Sequence, residues 1–132
     1  MGIFSKLFGG ARSLTRMADA TSTVVTLLND YEQERNDDYL LAAAWVCRVA
    51  ILQVARDEGY DDDFEVGVKL DGHIRRLPLS ELRRLTVHRV ETLSARRSPQ
   101  LRATVAGVLG GGKALERVQS ALPDVLKQKF LP

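Results

Sequence analysis

One cysteine, two histidines and a glycine-rich run are the residues of this chain best suited to chemistry, and each lacks the partners that chemistry needs. Cys47 lies in the apolar stretch AAAWVCRVAIL, whereas a nucleophilic thiolate requires exposure and a base or positive charge beside it. His73 and His88 stand alone, with no Cys, His or carboxylate at zinc-ligand spacing, and no G-x-S-x-G elbow is present. The run Gly107 to Lys113, GVLGGGK, matches the first seven positions of the phosphate-cradling pattern G-x-x-x-x-G-K-[ST]. Ala114 replaces the magnesium-binding hydroxyl, and only 18 residues follow it, too few for a parallel sheet and its second acidic ligand. A helix end followed by a turn explains the run. The chain therefore reads as a non-enzyme with no catalytic residue, no cofactor and no metal ligand set.

The acidic run Asp57, Glu58, Asp61, Asp62, Asp63, Glu65 carries carboxylates suited to a hard cation, yet neither Asp57 nor Asp61 starts an EF-hand spacing with Gly sixth and Glu twelfth. The segment VARDEGYDDDFE, following an alanine-rich helix, resembles the acidic interhelical segment of tellurite-resistance TerB-like domains. That resemblance covers about a dozen residues and implies a helical, cation-binding domain. The hairpin expected just after the segment departs from an all-helical family, and the segment has no second copy, so the family is not assigned.

Charge divides the chain. Residues 1 to 72 hold 7 Lys and Arg against 13 Asp and Glu, and residues 73 to 132 hold 12 against 4. Halves of opposite sign attract, either within one molecule or between two. The basic half includes Arg75, Arg76, Arg83, Arg84, Arg96, Arg97 and Arg102, a set able to neutralise phosphates. No aromatic residue lies between Phe64 and Phe130, so stacking on bases is unavailable there. Nucleic-acid binding by segment 75–102 is the alternative to a role in assembly.

The elements that hold these residues follow from hydrophobic period. Apolar positions at helical spacing predict an amphipathic helix over 3–17 and a second, capped by Asp19 or Thr21, running to Arg35. Asn36 caps a third, apolar nearly all round from Tyr39 to Ala55, in which Arg48 requires an acidic partner. Phe64, Val66, Val68 and Leu70 alternate into Asp71-Gly72, and His73 to Leu77 return, the pattern of a β-hairpin over 64–77 closed by Pro78. Ser80 starts a helix to Arg96 that contains Arg89, expected to meet the acidic half. Ser98-Pro99 starts another, which stops at Gly110, and the last restarts at Pro123. The expected fold is mainly α, five to six helices around a central apolar helix 38–56, with one small hairpin near 64–77.

Residues 1–17 read as an N-terminal amphipathic basic helix and 18–132 as a single mostly helical domain. The apolar stripe Ile3, Phe4, Leu7 and Phe8, with Lys6 and Arg12 beside it, suits an anionic membrane, a partner's groove or the protein's own core. Gly9 and Gly10 weaken this helix by about 1 kcal/mol each, so it folds on a surface. The lone cysteine indicates a reducing compartment. The short N-terminal apolar run is no export signal, and Lys6 occupies the position where myristoylation needs Ser or Thr. The expectation is a non-enzymatic, cytoplasmic interaction protein that self-associates or recruits a protein partner, or sits peripherally at the inner membrane face.

Overall fold

The computed structural model describes residues 10–131. It is mainly helical, with one two-stranded antiparallel hairpin. The first helix, α1, spans Gly10–Glu34 without interruption, so no new helix starts at Asp19 or Thr21. Within it Thr21, Ser22 and Thr26 each donate a hydroxyl to the carbonyl four residues back. Its buried face is Met17, Ala20, Val24, Leu28 and Tyr31, spaced three or four apart. Arg35, at φ 57°, ends it in the left-handed region. Residues 1–9 of the expected N-terminal helix lie outside the described residues, and its remainder is the first turns of α1.

Asn36 accepts from the Asp38 amide and opens α2 (Asp37–Val46). A π-helical stretch, Cys47–Leu52, continues it into α3 (Gln53–Glu58), ended by Gly59 at φ 69°. The combined Asp37–Glu58 rod is long and apolar enough to cross a membrane by length and composition. Its residues Leu40, Ala43 to Cys47, Ala50, Ile51, Val54 and Ala55 belong instead to the one hydrophobic core, as the apolar sequence around Trp45 implied. Trp45, fully buried, donates its indole N–H to Gln119 Oε1 at 3.1 Å.

β1 (Glu65–Leu70) and β2 (His73–Pro78) pair antiparallel with Val66 opposite Leu77 and Leu70 opposite His73. The two turn residues both have positive φ, Asp71 at 51° and Gly72 at 81°, as the Asp-Gly pair required. Val66 and Val68 point into the core beneath α1. The helix expected from Ser80 to Arg96 is two, α4 (Leu79–Leu85) and α5 (Val87–Ala95). Pro78 rather than Ser80 precedes the first. They break at Thr86, which is fully buried and donates its hydroxyl to the Leu82 carbonyl. Three short helices close the fold: α6 (Pro99–Leu109), capped by Ser98, α7 (Lys113–Ala121) and α8 (Asp124–Phe130).

Candidate interaction surface

Of the residues weighed first for chemistry, Cys47 and the glycine run are structural where they stand, while His73 and His88 are exposed and separate, His88 beside Glu91. Cys47 is fully buried, and burial pushes its thiol pKa far up, so no thiolate is available at neutral pH. The glycine run is the α6–α7 turn. Gly111 takes φ 77°, and the Arg48 guanidinium lies over it so closely that a Cβ there would meet Nη2 at 2.8 Å. Gly107 lets the two helices touch, since a Cβ would stand 3.0 Å from that of Ala114. Among the described residues Arg48 has no carboxylate partner. It donates to Gln53 Oε1 at 3.2 Å and weakly to the Leu109 carbonyl at 3.4 Å. The turn carbonyl and the amide supply what an acid was expected to supply.

The acidic loop is divided among separate partners. Asp57 accepts from Gln53, Glu58 from Ser13, and Asp61 from the Asp63 amide, while Asp62 pairs with Arg83 and Glu65 with Arg76. Among the described residues no three His, Cys, Asp or Glu side chains converge as a metal site.

The same pairs join the two charged halves within one molecule. Arg89 reaches Glu32 at 3.1 Å and Asn29 at 3.1 Å, meeting the expectation of an acidic partner, and Arg97 reaches Asp37 at 3.1 Å. Of the arginine set, Arg76, Arg83 and Arg97 face first-half acids, and Arg84 pairs with Glu81. Arg75, Arg96 and Arg102 are exposed and form no salt bridge among the described residues. The seven come from a strand, two helices and one connection, and do not line one groove.

What the tertiary structure assembles instead is an apolar cleft of about 530 Å³. Leu27 of α1 forms one wall and Tyr39, Leu41 and Ala42 of α2 the floor; Val118 and Ala121 of α7, with Leu122, Pro123 and Leu126 beyond, form the far wall. Pro123 ends α7 and forces α8 to start afresh, which holds the two short helices apart enough to leave the space. One rim is acidic. Asp38 lines it, and the Tyr39 hydroxyl lies beside Glu34 and Asp30; the hydrogen bond to Glu34 and the charge of both raise its pKa. Thr104 and Arg117 supply the remaining polar groups. Such a volume, with apolar walls and a few polar groups, suits a ligand or an anchoring side-chain cluster.

Nothing in the sequence reading located this cleft. The available signal was Pro123, which shortens the last helices just where Leu122 and Leu126 need cover.

Of the N-terminal set, Ile3, Phe4, Lys6, Leu7 and Phe8 lie outside the described residues, and Arg12 is exposed on the first turn of α1. Near that end of the fold, Ile74 is 77% exposed. It stands opposite Lys69 in the hairpin register, in a shallow groove shared with Leu14, Ala18 and Arg76. No protein family, no curated protein and no solved structure matches this chain.

Proposed function

We propose that the protein is a non-enzymatic assembly module of the cytoplasm, working through its apolar cleft and its N-terminal amphipathic segment. The observation that carries this reading is the cleft itself, an apolar concavity lined by Leu27, Tyr39, Leu122 and Leu126 and open at the surface of the fold. Four ion pairs between the acidic and basic halves are made in cis, so apolar contact, with charge only steering the encounter, is the force that holds a partner.

The test is light-scattering mass of the full chain over a range of concentrations at low and high salt. Assembly that grows with concentration, persists at high salt and is lost in Phe4→Asp supports the proposal. A monomer throughout overturns it.

A second reading is peripheral attachment to an anionic membrane. Exposed Ile74, with Lys69 opposite and Arg75 and Arg76 following, favours it, because an apolar tip among cations is the pattern of a lipid-binding surface. Co-sedimentation with anionic vesicles, abolished by Ile74→Asp in a chain that stays monomeric, would select this second reading.

A further inference from the structure

We infer that the occupant of the cleft is the N-terminal segment of a second copy of this chain, with Phe4, Leu7 and Phe8 inserted between Leu27 and Leu126. This rests on the assembly reading above and names its interface. Two features of one sequence match. The segment presents large apolar side chains at helical spacing with Lys6 among them and no acid before Asp19, and the cleft presents apolar walls with Asp38 at its edge and Glu34 and Asp30 beside the hydroxyl of its lining residue Tyr39, against the single lining cation Arg117. A basic amphipathic helix laid in an apolar groove with an acidic rim is a recurrent recognition mode.

The tether decides between cis and trans. Leu27 is 17 residues along α1 from Gly10, roughly 25 Å at helical rise. Leu7 and Phe8 are three and two residues before Gly10, so even fully extended they stay within about 11 Å and 7 Å of it. They cannot reach the Leu27 wall of their own cleft together with Phe4, whereas a neighbouring molecule's segment can enter from the open side. Exchange of such a segment between identical chains closes a pair when it is reciprocal and makes a chain of subunits when it is not.

Two variants separate this interface from the assembly reading as a whole. Phe4→Asp removes the insert and leaves the cleft intact. Ala121→Trp fills the cleft from an exposed position at its edge and leaves the segment intact. Thermal melts matching the parent establish that both fold. Each alone is expected to be monomeric at concentrations where the parent assembles, and an equimolar mixture of the two is expected to form a pair of about twice the chain mass, because one intact segment then meets one intact cleft. If Phe4→Asp is monomeric but Ala121→Trp assembles like the parent, or if the mixture stays monomeric, the cleft assignment is overturned and assembly through the segment stands. If Phe4→Asp assembles normally, or the parent is monomeric throughout, both are overturned. Should a monomeric parent lose thermal stability on Phe4→Asp, the segment docks on its own molecule; should that variant instead lose vesicle binding, the occupant is lipid.

Discussion

The Arg48 guanidinium lies across Gly111, its Nη2 only 2.8 Å from where a Cβ would be, and this contact fixes the α6–α7 turn against the π-helical stretch of the central rod. A π turn places Arg48 half-buried at the edge of the rod while Cys47, Ala50 and Ile51 stay inside. Gly111→Ala is expected to destabilise the fold by about 2 kcal/mol or more, combining a left-handed backbone with displacement of the arginine. Gly112→Ala, at an ordinary φ and with 3.7 Å of clearance, should cost well under half of that. Urea unfolding of both variants makes the comparison, and equal losses would show that Arg48 and the positive φ contribute nothing.

Gly107 and Ala114 form a second close approach. A Cβ on Gly107 would stand 3.0 Å from that of Ala114, so Gly107→Ala should cost about 1 to 2 kcal/mol by overpacking, even though alanine is the better helix former. Adding Ala114→Gly should recover part of the loss at the interface. A double-mutant cycle in urea measures the coupling, which vanishes if the two helices relax apart freely.

Tyr31 is buried along with its hydroxyl, which has no hydrogen-bond partner among the described residues. Tyr31→Phe removes an unsatisfied polar group at almost constant volume and is expected to raise stability by about 1 kcal/mol. A lower melting temperature in the variant would reveal a partner for the hydroxyl.

Cys47 makes stability depend on alkaline pH. Its folded pKa is pushed far up by burial, while the unfolded thiol ionises near pH 8.5. The unfolded chain therefore releases this proton first. The contribution is fully present below about pH 8.5 and falls as pH rises above it, by up to about 1.4 kcal/mol per pH unit. Cys47→Ala, though less stable overall, should lose that slope between pH 8.5 and 10. Alkylation of the native chain at pH 8 should require unfolding, and rapid labelling without denaturant would contradict the buried position.

The cross-half pairs supply little stability. Arg89 with Glu32 and Arg97 with Asp37 are partly exposed, and such pairs are worth about 0.2 to 1 kcal/mol. Arg97→Ala should therefore lower the melting temperature by no more than a few degrees. A loss many times larger would mean that this pair, and not apolar burial, positions α6 on α2.

Much of the fold was legible along the chain because its signals are local. Asn36, Asp71-Gly72, Ser98-Pro99 and Pro123 each dictate backbone geometry within a few residues, and the apolar run around Trp45 needs cover on every side. Asp19 and Thr21 misled because residues that suit an N-cap are also tolerated inside a helix, and α1 runs through both. Here the Thr21 hydroxyl bonds backward and the face of Val24 and Leu28 is buried, which outweighs a propensity term of a few tenths of a kcal/mol. Thr86 misled in the opposite direction, since a buried break after Leu85 leaves no glycine or proline to announce it.

Composition and spacing by themselves determined the helical class, the hairpin and its register, the central apolar rod, and the lack of any nucleophile, metal or nucleotide signature in the linear pattern. Tertiary structure decided which charges meet and where apolar surface stays open. Arg48 found a turn carbonyl and an amide instead of an acid, and opposite charges far apart in sequence paired across α1, α2 and the hairpin. Leu27, Tyr39, Leu122 and Leu126 surround a cleft instead of filling a core. The physical reason is range: caps, turns and periodicity act over one or two turns of chain, whereas ion pairing and the closure of a cavity depend on the angles at which whole helices pack, and no short window of sequence contains those angles.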